Sequence, residues 1–159
     1  MGTRSRIAVM HGTVCKSVYC HWDGYLEYNG SLLHKHYDSA KANNLVALGD
    51  LSSLKPEIGI QHAFGYHGTE ISAEDYETQF GNMCTFYGRD RGEENVDFQT
   101  DMTFDSFIER VQGNGCEWYY IMRDGVWYVG NVYESDEQFY KKLVPLAEAL
   151  AKLPEDAVA

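Results

Sequence analysis

The chain has 159 residues with 24 acids against 13 Lys and Arg, a formal net charge of −11, and 7 Phe, 3 Trp and 12 Tyr. Aromatics at 14% and hydrophobic residues at 44% exclude an intrinsically disordered chain, and no apolar run approaches the ~18 residues of a bilayer-spanning helix. The length suits one domain, which buries roughly 70% of its unfolded surface and folds without staples.

The charge is unevenly placed. Residues 1–69 hold six bases and five acids, residues 70–109 two bases and eleven acids, and residues 110–159 five bases and eight acids. Nearly all the excess lies in the middle quarter, where Glu74, Asp75, Glu77, Glu93, Glu94 and Asp97 are candidate partner-binding residues. Such a field repels phosphates and attracts basic surfaces, so direct nucleic-acid binding is disfavoured and a partner with a basic surface is expected. A solvated face that serves solubility is the competing reading.

Cys15, Cys20, Cys84 and Cys116 form no Cys-x-x-Cys pair. They read as reduced, buried thiols rather than as a disulfide framework or a zinc site. Residues 1–6 are basic but no apolar segment follows them, so the sequence reads as a cytoplasmic protein without membrane association.

Taken in chain order, residues 6–10 and 14–22 are β-prone runs separated by His11-Gly12-Thr13, an opening hairpin. Alternation places Val18, Cys20 and Trp22 on the core face and Ser17, Tyr19 and His21 on the other. After Asp23-Gly24 and Asn29-Gly30, a short helix carrying Leu32, Leu33 and Tyr37 is expected. A second follows, capped by Asp38 or Ser39, with Ala42, Leu45, Val46 and Leu48 as its stripe and Gly49 as its stop. Residues 50–83 read as a long irregular excursion with one helical turn near 72–76. Residues 83–87 predict a strand and residues 88–93 a charged turn. Phe104, Phe107, Ile108 and Val111 fall at i, i+3, i+4 and i+7 behind Thr103, which predicts a capped amphipathic helix ending at Gly113. Residues 118–122 and 126–132 flank Asp124-Gly125, a hairpin in which Arg123 pairs with Val126 and Trp118, Tyr120, Met122, Trp127 and Val129 share the packed face. Phe139, Leu143, Leu146, Leu150 and Leu153 line one side of a last helix that Pro145 must kink or restart. This order predicts a single α+β domain over residues 1–159, its antiparallel sheet built from the N-terminal and C-terminal hairpins and packed against three to four helices.

Residues 19–25 (YCHWDGY) hold the densest set of functional side chains. His21, two residues before Asp23, offers a base with a carboxylate to orient it, and Tyr25 lies beside them. Cys20 points to the face opposite His21, which disfavours a thiol nucleophile paired with that histidine. Arg89, Asp90 and Arg91 between Gly88 and Gly92 form a second cluster, in which two guanidinium forks suit a phosphate or carboxylate. The Gly-x-x-x-x-Gly-Lys-Ser/Thr pattern is missing, and an internally paired turn is the competing reading. His21, Asp23, Tyr25, Arg89, Asp90 and Arg91 are thus the candidate ligand-binding residues. His34 and His36 fall about 200° apart on a helix and His62-x4-His67 lacks the His-Glu-x-x-His pattern, so no metal, cofactor or catalytic residue is expected.

Three runs, YCHWDGY at 19–25, LGDLSSL at 48–54 and YGRDRGE at 87–93, together resemble a group of small uncharacterised proteins encoded by bacteriophages and prophages. The resemblance implies an accessory phage protein in the infected bacterial cytoplasm, where genes of this size adjust or block host machinery. Two classes of function follow as expectations. One is a non-enzymatic protein that binds and modulates or inhibits a host macromolecule through an acidic, aromatic-rich surface, with DNA mimicry or anti-defence as versions of it. The other is a small nucleotide-binding protein or nucleotide-processing enzyme in which the His21/Asp23 and Arg89/Asp90/Arg91 clusters converge on one concave site.

Overall fold

The computed structural model describes residues 2–154. Its first elements follow local sequence signals closely. β1 (Ser5–His11) and β2 (Val14–Cys20) pair antiparallel across Gly12-Thr13, with Ser5 opposite Cys20 and His11 opposite Val14. A π-helical turn, Leu26–Gly30, leads into α1 (Ser31–His36). α2 (Ser39–Ala47) starts where the Asp38 side chain accepts the Lys41 N–H at 2.8 Å, satisfying one of the open donors of the first turn. α5 (Phe104–Gly113) is capped in the same way by Thr103, and its Phe107, Ile108 and Val111 are buried as their spacing requires.

Between α2 and α5 the chain forms short pieces: β3 (Leu51–Ser53), α3 (Ala73–Phe80), β4 (Thr85–Phe86), α4 (Tyr87–Arg91) and β5 (Gln99–Asp101). The strand expected over 83–87 is thus cut to two residues, and the charged turn expected at 88–93 is largely the helix α4. β6 (Trp118–Arg123) and β7 (Val126–Asn131) then pair in the expected register, with Arg123 opposite Val126. Asp124 and Gly125 both have positive φ, 51° and 78°, the backbone that a two-residue hairpin of matching twist demands. β8 (Val144–Pro145) and α6 (Leu146–Ala151) finish the fold. Pro145 restarts the chain, so the last helix begins after it. Residues 136–143 turn instead, and Leu143 packs on the sheet face opposite Leu146.

The eight strands form one sheet in the order β4-β3-β2-β1-β6-β7-β8, with β5 also on β2. The architecture is α+β and contains both expected hairpins, but the sheet is mixed rather than antiparallel. β1 and β6 run parallel, Arg6 beside Tyr119 and Ala8 beside Ile121, and β2 runs parallel to β3 at Cys20. The physical reason is that the two hairpins join through their inner strands, and the long crossover between them permits a parallel pairing.

Both sheet faces are therefore covered at the centre. Ile7, Val9, Val18, Tyr120, Met122 and Val129 pack with Leu33, Leu45, Val46 and Leu146 of the helices on one side. Ala8, Met10, Cys15, Tyr119 and Ile121 pack under Phe107 and Val111 of α5 on the other. Trp22 departs from its expected core position: β2 ends at Cys20, the chain bends at Asp23 with φ 55°, and Trp22 is left 43% exposed.

Candidate functional site

His21, Asp23 and Tyr25 lie on the corner that follows β2. The backbone N–H groups of His21 and Trp22 donate to Leu51 O and Ser52 O, and Gly24 N–H donates to Thr3 O at 2.8 Å. The Tyr120 hydroxyl reaches Gly24 O at 2.7 Å from the sheet, and the Asp23 carbonyl accepts the Asn29 N–H at 3.2 Å. A Cβ on Gly24 would sit 2.7 Å from Ser5 Cβ, so only glycine lets the corner close on β1. His21 hydrogen-bonds through Nδ1 to the Tyr19 hydroxyl at 2.8 Å. Burial and the nearby Arg4 charge push its pKa below the ordinary histidine value, which favours the neutral ring.

The second cluster is tied inward. Arg89 donates from Nε to Asp90 Oδ1 at 3.0 Å and from Nη2 to Asp90 Oδ2 at 3.1 Å. Its remaining reach goes to the carbonyls of Ile58, Gly59 and Cys84 at 2.9, 3.2 and 3.0 Å. The fully enclosed Asp90 carboxylate accepts in addition the backbone N–H of Phe86 at 2.8 Å and of His62 at 3.1 Å. These groups hold one another, and the pair acts as a clasp between α4 and residues 58–62. Arg91 differs. It is exposed, pairs with Glu93, and lies 4.3 Å over the Phe64 ring and 5.2 Å from that of Tyr87.

The clasp carries an arm, residues 57–83, whose ends meet where Glu57 N–H donates to Asn82 O and Cys84 N–H to Glu57 O. Inside the arm, the buried His62 ring stacks on Phe80 of α3 at 5.2 Å with an 8° interplanar angle, and its Nδ1–H donates to Ile60 O at 2.8 Å. The Tyr76 hydroxyl donates to Ala63 O. None of the eight residues of α3 is buried. An isolated helix of this length is unstable in water, so the His62, Tyr76 and Phe80 contacts are what hold it in place.

Glu74, Asp75 and Glu77 on α3, and Glu93, Glu94 and Asp97 after α4, are all exposed. Two of the eleven acids in the acidic quarter belong to internal pairs instead, Asp90 with Arg89 and Asp101 with Arg110. Arg91 links the two exposed groups, since it touches Phe64 of the arm and pairs with Glu93. Sequence reasoning missed the apolar part of this surface, Ile60 at 64% and Tyr66 at 39% exposure beside half-exposed Phe64. The available signal was three large apolar residues, Ile60, Phe64 and Tyr66, in a Gly-rich stretch, 57–83, that has five acids and no Lys or Arg.

Among the described residues, no hydrogen bond, ion pair or ring contact joins the His21/Asp23/Tyr25 corner to Arg89, Asp90 or Arg91. No helix of these residues is long and apolar enough to cross a membrane. No protein-family model, curated protein or solved structure matches the chain, so its functional reading rests on its own residues and geometry.

Proposed function

We propose that the chain is a phage-encoded accessory protein of the host cytoplasm, one that binds a host macromolecule and modulates or inhibits it. The occupant is a protein with a basic surface, and the arm at 57–83 with the following acidic segment is the part that docks on it. One observation carries this reading: a helix with no buried residue, in an arm that has no Lys or Arg, is held in place through a clasp of buried groups. Beyond Ile58, which packs at the edge of the main core, the arm's acids are exposed, and its carboxylates with Ile60 and Tyr66 suit a partner that is basic around an apolar centre. The resemblance of the three sequence runs to phage proteins supplies the setting. DNA mimicry, in which carboxylates stand where phosphates would, is the version in which the partner is a nucleic-acid enzyme.

The test is capture from host lysate at low and high salt by the wild type and by Glu74→Gln/Asp75→Asn/Glu77→Gln. Proteins that bind the wild type, leave with salt and are missing from the triple variant at equal melting temperature support the reading. Identical capture by both at every salt concentration removes the arm from the binding surface.

A further inference from the structure

The outer edge of β2 is split. β5 pairs with residues 15–17 and β3 pairs at Cys20, so the Tyr19 N–H between them has no strand partner. The Asp50 carboxylate fills that place, with Oδ1 accepting the Tyr19 N–H at 2.9 Å. Beside this split, beyond the C-terminal end of α5, lies a polar pocket of about 270 Å³ lined by Arg6, Tyr19, Asp50, Gln99, Arg110 and Asn114. Drug-sized sites span roughly 300–1,000 Å³, so this one suits a small metabolite.

Arg6 forms its floor and is only 2% exposed. Nε donates to Ser17 Oγ at 2.9 Å, Nη2 to Ser17 O at 3.0 Å and Nη1 to Asn114 Oδ1 at 2.7 Å. A guanidinium has five N–H groups, so two remain on the terminal fork. Among the described residues, no carboxylate oxygen lies within 4.0 Å of this buried cation. Enclosing a charge without a direct counter-ion is unfavourable, and the protein tolerates it here with only neutral hydrogen-bond acceptors. Asp50 stands across the same pocket with Oδ2 unused. Arg110 is neutralised by Asp101, which accepts from its Nε at 2.7 Å and its Nη2 at 3.1 Å. The Asn114 amide, fixed by Arg6 at its oxygen, has Nδ2 left to donate.

The walls therefore present a positive fork and a negative carboxylate that are held apart, with no net charge overall. We propose that this pocket binds a small zwitterion, a free α-amino acid, with its carboxylate on the Arg6 fork and Asn114 Nδ2 and its ammonium on Asp50. A simple anion would meet the Asp50 charge, and a simple cation would meet Arg6. Only a molecule carrying both groups satisfies both walls. This site is separate from the arm and does not rest on the arm's role.

The test titrates isotope-labelled protein with a panel of free α-amino acids, their N-acetyl forms and the corresponding decarboxylated amines, following backbone signals of Arg6, Tyr19, Gln99 and Asn114. At least one free amino acid is expected to shift these signals saturably, with its N-acetyl and amine counterparts weaker by about tenfold or more, the effect of losing one charge-assisted hydrogen bond. Asp50→Asn, whose folding the same spectra report, weakens the free amino acid by a similar factor, whereas Glu74→Gln leaves it unchanged. The proposal is overturned if no amino acid shifts these signals at millimolar concentration, if the N-acetyl or amine form binds as tightly as the free one, or if folded Asp50→Asn binds like the wild type.

Discussion

Arg89 and Asp90 are neighbours in sequence whose side chains lock side by side, with Nε on Oδ1 at 3.0 Å and Nη2 on Oδ2 at 3.1 Å. Two such residues on one short helix more often diverge. Here the carboxylate turns inward to collect two backbone N–H groups, and the guanidinium follows it to collect three carbonyls. Arg89→Ala strands the enclosed Asp90 charge and is expected to cost about 3–5 kcal/mol in denaturant unfolding. A loss below 1 kcal/mol would mean that the clasp does not hold the arm.

His62 and Phe80 fix the arm locally. His62→Ala or Phe80→Ala is expected to speed amide exchange in residues 73–80 by tenfold or more while leaving the central strands β1 and β6 protected, because no residue of α3 is buried. Equal acceleration in β1 would show that arm and sheet unfold as one unit.

Two aspartates near the pocket oppose each other in their pH dependence. Burial pushes the Asp101 carboxyl up, but hydrogen bonds from Arg110 and Ser106 and the Arg110 charge outweigh it, so its pKa lies below the ordinary value. The stability it gives is present in full above its unfolded pKa of about 3.9 and is lost as pH falls through the lower folded value. Asp50 is raised by burial, only partly offset by the Tyr19 N–H and the Arg6 charge, so its ionised form costs stability that sets in as pH rises from the unfolded value through the folded one. Unfolding titrations between pH 2 and 7 should show Asp101→Asn less stable at neutral pH and less acid-sensitive, and Asp50→Asn as stable as wild type at neutral pH or more so. A destabilised Asp50→Asn at pH 7 would contradict the sign.

Gly130 of β7 lies against the Tyr119 hydroxyl, which donates to Lys142 O. A Cβ there would overlap both oxygens. Gly130→Ala is expected to cost about 1–3 kcal/mol by overpacking. Adding Tyr119→Phe should restore only part of it, because the Lys142 carbonyl stays in place. Full restoration in the thermal melt would assign the whole clash to the hydroxyl.

All four cysteines are buried as free thiols. Burial pushes Cys15 up to about 11 and Cys20 and Cys116 up to about 12, and raises Cys84 as well. Native protein at pH 8 should therefore resist alkylation over hours and take up four labels at once in denaturant, as read by intact mass. A single label taken up rapidly under native conditions would reveal a local opening.

Short spacing encodes the parts of the fold that are legible in the linear chain. α5 was legible from Thr103 and the i, i+3, i+4 pattern behind it, and β6–β7 from Asp124-Gly125, because capping and two-residue turns are settled within a few residues. The exposure of Glu74, Asp75, Glu77, Glu93, Glu94 and Asp97 followed from charge alone. The other features arise from contacts between distant parts of the chain. β3 and β5 have three residues each, too few for alternation to show, and exist because β2 offers an open edge. Arg89 and Asp90 became a clasp only when residues 58–62 came beside them, and the parallel union of β1 with β6 set which faces were buried. The Arg6 pocket gathers residues 6, 19, 50, 99, 110 and 114, from strands β1, β2 and β5, the residue before β3 and the end of α5. No linear motif announces such a site, because a buried charge is matched by whatever the sheet brings across from distant parts of the chain.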